Sequence, residues 1–389
     1  MMMKHLSAGV LLLLALGAGP VWAQPAAPDF PGAPSIAAGN YGISKRSAVD
    51  LALPDRYRRD ELFFRWPAGR TLGAISAIDM DRDGRSIWVA ERCGGQSHCI
   101  GKSVDPVLKF DANGKVVRQF GAGMIVYPHG IFVDHDNNVW VTDLQSNVDR
   151  PAPRPGQPPE VVPGLKPNGA QVVKFSPEGK RLLTLGVPGV YGNDATHLSQ
   201  PSDVLVTKSG TIFVADAHDS APSNHRIVKY DRTGKFIKAW DACGSAPVPG
   251  ANKIDCAHAL AMDSQGRLFV ANRGSSRIEI FDQEGKLLDE WYQFGKPSGM
   301  AIDAEDRLYA VDTQSGVREG NAFVRGMHVG SARTGEVMSF TPDPLGNPAP
   351  WFPLRGTTGS EGVTVGPDGT VYTSQVTPPG LVRYVPKPD

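Results

Sequence analysis

The chain has 389 residues, of which 41% are hydrophobic, enough for a large buried core and, in the absence of repeats, for two domains. Lysine plus arginine and aspartate plus glutamate balance at 40 each, so the formal net charge is zero. A balanced chain offers no electrostatic footprint to nucleic acid or to anionic membranes, and a nucleic-acid partner is not expected.

The first stretch, MMMKHLSAGVLLLLALGAGPVWAQ, carries a positive residue at Lys4, an apolar run from Leu11 to Leu16 and small-residue spacing at Val21-Trp22-Ala23. It reads as a Sec signal cut after Ala23. The run is too short to span a bilayer, and no cysteine follows the cut to take a lipid anchor. Residues 1–23 are therefore expected to be a signal peptide and 24–48, rich in Pro, Ala and Gly, a flexible leader. The mature protein would then be periplasmic or secreted, without a membrane span. In an oxidising compartment the four cysteines are candidates for disulfides. Three pairings are open; the local pairs Cys93 with Cys99 and Cys243 with Cys256 require no distant segments to meet.

From residue 49 onward a unit of about 40 residues recurs, the length of a propeller blade. Each unit holds an apolar run, a turn such as DRDGR, DHDNN, TKSGT, DSQGR, DAEDR or GPDGT, and a second run such as SIWVAE, VWVTD, TIFVAD or RLFVAN. A third strand and another turn follow in most copies, as in VLKFDANGKVV and IVKYDRTGKFI. β-Branched and aromatic residues alternating between Asp, Asn and Gly turns are a hairpin signature. Six copies begin near Gly73, Pro128, Pro201, Ala257, Pro297 and Ser360; the fifth is degenerate in its second half, and the last ends at LVRYVPKPD without a fourth strand. An unmatched segment, LFFRWPAG at Leu62–Gly69, is similar to the outer strand of the third copy. The expected fold is all-β, with residues 49–389 forming a six-bladed β-propeller whose ring an N-terminal strand closes. The repeats resemble NHL repeats.

Aligning the copies on the residue before each first strand gives Ser76, His129, Ser202, His258, Ser298 and Glu361. His129, His258 and Glu361 fall on alternate blades, which lie roughly 120° apart in a six-fold ring, so their side chains can converge at the channel mouth. Two imidazoles and a carboxylate form a metal set with open positions for water or substrate. The connections from second to third strands lie on that same face and include Cys93–Asp105, the Pro-rich stretch 149–168, Ala217–Asn224 and Gln314–Ser331. Second-strand ends bring Glu91, Arg92, Asp143, Asp216, His218, Asn272, Arg273 and Asp312 to this rim. Asp143 and Asp312 read as turn caps. Arg92 could hold a substrate carboxylate bidentately, and His218 could act as a general base. His98, His135, His197 and His225 have no repeat-based support and read as surface residues, with His328 a reserve in the fifth-blade loop.

The segments THLSQPSDVLV, TIFVADAHDSAPSNHRIVKYDRTGKFIKAW, CAHALAMDSQGRLFVANRGSSRIEIFD and GSEGVTVGPDGTVYTSQ resemble successive blades of the peptidyl-α-hydroxyglycine α-amidating lyases, over most of Gly73–Tyr384. The resemblance implies a six-bladed propeller with a zinc held by three histidines, which splits a C-terminal α-hydroxyglycine into peptide amide and glyoxylate. His129 and His258 match two of those histidines, and Arg92 matches the family arginine. Glu361 stands at the position of the third histidine and His218 at that of the catalytic tyrosine. A carboxylate ligand weakens Lewis acidity and admits iron, manganese or copper beside zinc, and a structural calcium would be additional.

The sequence thus supports an exported, monomeric, metal-dependent lyase or hydrolase acting on a small-molecule or peptide substrate, with Arg92 and His218 catalytic. The alternative is a non-catalytic NHL propeller whose rim loops bind a peptide, glycan or protein partner. A weaker similarity to gluconolactonase-type propellers, which use calcium, is opposed by the two histidines, because calcium prefers oxygen ligands.

Overall fold

A computed structural model describes residues 49–96, 98–148, 164, 166–218, 224–242, 257–315, 324–343 and 359–388. The expected signal and leader, most of the Pro-rich stretch, and both Cys243 and Cys256 lie outside these residues. The alternating apolar runs become six four-stranded antiparallel sheets. Their inner strands are Ile75–Met80, Pro128–Val133, Pro201–Val206, Ala259–Met262, Pro297–Ile302 and Ser360–Val365. Each inner strand packs against that of the next blade, and the sixth returns to the first, which closes a six-bladed β-propeller.

The second strand of each blade is sandwiched between neighbouring blades. Val139–Asp143 and Ile212–Asp216 are buried at every position, as expected for strands covered on both faces. Apolar clusters bridge adjacent blades: Trp88 and Phe120 of blade one meet Val139 and Phe175 of blade two. Fully burying a side chain of this size contributes about 1.5–3 kcal/mol, so the blade interfaces hold the ring.

The hairpin turns are fixed by their aspartates, whose side chains accept the backbone N–H groups that the turn leaves unpaired. Asp134 accepts from the amides of Asp136 and Asn138 and also from Trp140 Nε1 at 2.9 Å, while Lys174 Nζ lies 3.0 Å from its carboxylate. Asp81 repeats the pattern in blade one with Trp88 and Lys109.

Ring closure follows the expectation in kind but not in segment. Tyr57–Asp60, rather than Leu62–Gly69, pairs antiparallel with Gly380–Pro386 as the fourth strand of blade six. Phe63 and Phe64 instead insert as a wedge against Phe110 of blade one and Tyr372 of blade six. The fifth blade is also regular. Gly326–Ser331 and Val337–Pro342 are its third and fourth strands, so His328 lies within a strand rather than in a loop, wholly buried and with Nε2 3.4 Å from Asp50 Oδ1. Its strands escaped detection because Gly326, Gly330 and Ser331 interrupt the β-branched pattern.

One irregularity recurs around the ring. In blades one, two, three, five and six the register between first and second strands slips at the same place, skipping Ser76, His129–Gly130, Ser202, Ser298 and Glu361. A bulged residue leaves the ladder and its side chain is re-aimed. Five of the six aligned positions are thus bulge positions, and the sixth, His258, immediately precedes the inner strand of blade four.

Candidate metal centre and substrate mouth

At these positions the backbone of each following blade orients the histidine before it. His129 Nδ1 lies 2.8 Å from the Ser202 carbonyl, and His258 Nδ1 lies 2.7 Å from that of Ser298. A carbonyl only accepts, so each Nδ1 carries the proton and each Nε2 presents a lone pair. Every histidine blade is thus oriented by the serine blade that follows it. The fit is close: a Cβ on Gly130 would come within 2.6 Å of the Ser202 carbonyl oxygen.

His129 and His258 are each 3% exposed. Burial, with the cationic groups around them, lowers both imidazole pKa values, His129 well below its ordinary value, so both rings are neutral. Their ring centroids are 5.0 Å apart. His218, just past the second strand of blade three, completes the cluster at 4.5 Å from His129 and 5.2 Å from His258. One ligand nitrogen from each ring lies within 4.8 Å of the other two. His129 Nε2 is buried without a hydrogen-bond partner among the described residues. A buried lone pair without a donor is costly unless a cation meets it, and neutral imidazoles with their far nitrogens anchored are how proteins present zinc and similar ions. The three histidines fit a transition-metal ion.

Glu361 arrives at the same place from blade six, 7% exposed. Its Oε1 is 3.0 Å from Arg273 Nη1 and 3.3 Å from His258 Nε2. Burial by itself would raise its pKa, but His258 and Arg273 outweigh burial and hold the carboxyl well below the usual range. Glu361 is therefore ionised at the edge of the histidine cluster, with one oxygen engaged by Arg273.

Arg92, 6% exposed, approaches from blade one and adds to the depression of the His129 pKa. Its guanidinium covers the Tyr127 ring at 4.3 Å, and Nη1 donates to the Gln96 carbonyl at 2.9 Å. Among the described residues no carboxylate pairs with it. The loop that holds Gln96 is closed by the Cys93–Cys99 disulfide. It is also pinned by buried Glu91, which accepts from the amides of Gly73 and Gly94 and from Arg70.

The other rim candidates are structural. Asp143 accepts from the amides of Val126 and Tyr127, Asp216 from those of Ser199 and Gln200, and Asp312 from those of Lys296, Gln314 and Ser315. His98, His197 and His225 are half-buried and His135 is exposed, none of them in the cluster. Sequence reasoning placed Arg273 on the rim but not its partner, because the two residues are 88 positions apart and meet across the ring.

No protein-family model matches the chain. The mouse peptidyl-glycine α-amidating monooxygenase is 33% identical over 189 residues, covering 47% of this chain but only 16% of the mouse protein's length. A probable peptidyl-α-hydroxyglycine α-amidating lyase of Caenorhabditis elegans is 27% identical over 271 residues, covering 69% of this chain and 67% of its own. Among solved structures, a gluconolactonase from Xanthomonas campestris superposes with a TM-score of 0.52 over 94% of this chain and 99% of its own, at 16% identity, a likeness of fold. Within the described residues no helix is long and apolar enough to cross a membrane. The chain is a six-bladed β-propeller of NHL-like repeats that resembles the peptidyl-α-hydroxyglycine α-amidating lyases.

Proposed function

We propose that this protein is an exported, metal-dependent lyase of the amidating-lyase type, cleaving the C–N bond of an α-hydroxyglycine-like substrate to release an amide and glyoxylate. The observation that carries the reading is the convergence of three buried histidines, two with Nδ1 locked on backbone carbonyls and Nε2 turned inward. His129, His258 and His218 would hold the ion, zinc by the resemblance, with iron, manganese or copper the other candidates. When bound, such an ion polarises a substrate oxygen and lowers the pKa of its proton. This assignment moves His218 from proton carrier to ligand and leaves Glu361 beside the ligand set. Arg92, cationic and without a carboxylate partner among the described residues, would take the substrate carboxylate bidentately, and its contacts with Tyr127 and Gln96 hold it in place. The bond that breaks joins the hydroxyl-bearing carbon to the amide nitrogen. The hydroxyl gives up a proton and the nitrogen gains one, so no further reactant is consumed. The leader sequence and the disulfide support an oxidising compartment.

Elemental analysis of untagged protein tests the reading. Wild type should carry about one equivalent of transition metal and release glyoxylate from an α-hydroxyglycine peptide, and His218→Ala should lose both. A wild type that takes up no transition metal after reconstitution overturns it.

A second reading rests on one distance. The 3.3 Å between His258 Nε2 and Glu361 Oε1 is about the spacing of two neighbouring ligands in a tetrahedral site. If Glu361 joins the three histidines, the site is closed and the propeller binds partners through its rim with a structural ion. Loss of metal in Glu361→Gln would favour that reading; retention favours the lyase.

A further inference from the structure

The mouth contains two buried arginines in opposite circumstances. Arg92, beside His129, has no carboxylate partner among the described residues, whereas Arg273, beside His258, is neutralised by Glu361. Of these two, Arg92 is therefore the guanidinium left to attract an anion. Glu361 meets both Arg273 and His258 through Oε1; among the described residues no hydrogen bond reaches Oε2. The side chain keeps 8% exposure at the mouth. A carboxylate paired with a guanidinium at 3.0 Å offers acceptors only, so the free oxygen can be satisfied by a donor and repels another carboxylate.

We infer that Glu361 is a specificity-determining residue: its Oε2 accepts a hydrogen bond from an amide N–H of the bound substrate, while Arg92, from the neighbouring blade one, holds the carboxylate. The inference rests on the proposed function and deepens it: Glu361 reads the amide N–H of the ligand whose carboxylate Arg92 anchors. A ligand with oxygen in place of the N–H turns a lone pair toward Glu361, and sites built to pair with a donor discriminate strongly against analogues that lack it. Arg273 acts here as a positioning residue that fixes the carboxylate and leaves Oε2 facing the ligand.

The test is calorimetric binding of N-benzoylglycine and its ester analogue O-benzoylglycolate, which share the carboxylate and the ring, with metal content measured on the same samples. Wild type should bind the amide at least about tenfold more tightly. In Glu361→Gln the side-chain carbonyl can still serve Arg273 while the NH2 turns to the ligand, so the preference should vanish or reverse. Glu361→Asp, which keeps the charge, should retain its sign and serves if the Gln variant does not fold. Metal-loaded wild type that binds the two ligands equally, or binds neither, overturns the inference while the metal reading stands, as does a Gln variant with unchanged preference. Absence of metal in wild type removes the proposed function itself.

Discussion

The hairpin turns and the histidine cluster at the mouth treat their buried polar groups differently. At the hairpin turns, Asp134 accepts from two amides and Trp140 Nε1 and meets Lys174, and Asp263 accepts from the amides of Gln265 and Arg267 as well as from Arg267 Nε. At the mouth, His129 Nε2 and Arg92 Nε are buried without a hydrogen-bond partner among the described residues. A polar group withdrawn from water and left unmet costs stability, so the mouth is where the fold gives up free energy that a ligand can return. Carboxylates at the turns are structural because they are saturated; the histidines and Arg92 are poised because they are not.

That contrast can be broken in four ways. The largest effect is expected from His258→Ala, which should lower metal content from about one equivalent to a small fraction and reduce glyoxylate release by about a thousandfold or more. Circular dichroism should show an intact ring, because its packing does not pass through this side chain. A collapse of the fold would put His258 with the structural groups. Arg92→Ala should lower kcat/KM by about 10–100-fold, mainly through KM, with metal content unchanged. Since it removes an uncompensated buried charge, its thermal midpoint should equal or exceed that of wild type. Asp134→Ala should do the opposite, leaving kinetics unchanged and costing about 1–3 kcal/mol in urea unfolding, because Trp140 Nε1 loses its acceptor.

The smallest effect concerns Asp203, on the inner strand of blade three, which accepts from the amides of Val204 and Leu260 and so ties blade three to blade four. Desolvation pushes its pKa from 3.8 up to about 7. The native state therefore keeps a proton that the unfolded chain has released, and this group's contribution to stability declines as pH rises from about 4 to about 7. Urea midpoints measured across that range should flatten in Asp203→Asn. An unchanged slope would show that Asp203 titrates normally.

Much of this was legible in the sequence, and the remainder has identifiable reasons. The alternation of Ser76, His129, Ser202, His258, Ser298 and Glu361 appeared because repeats align residue against residue. The service of Ser202 and Ser298 did not, since they act through backbone carbonyls that any residue could supply. His218 was visible as a rim residue, but it stands beyond the strand rather than at a bulge, and no repeat register showed that it faces His129 and His258. Glu361 was placed on the right blade, whereas its tie to Arg273 depends on the width of the ring. The closing strand was missed because YRRD is short and charged, with none of the alternation that marks an interior strand.

Tyr57–Asp60 pairs with residues more than 300 positions away, as in Arg59 with Tyr384. Contacts of such sequence separation form late, since the loop entropy must be met before they return anything. A nascent chain can stack its early blades one upon the next as they emerge, but the sixth keeps an unpaired edge until synthesis passes Pro386. During that interval the N-terminal segment must stay unengaged and that edge must avoid other chains. The same strand pair that completes the finished ring therefore sets the moment of greatest aggregation risk during its birth.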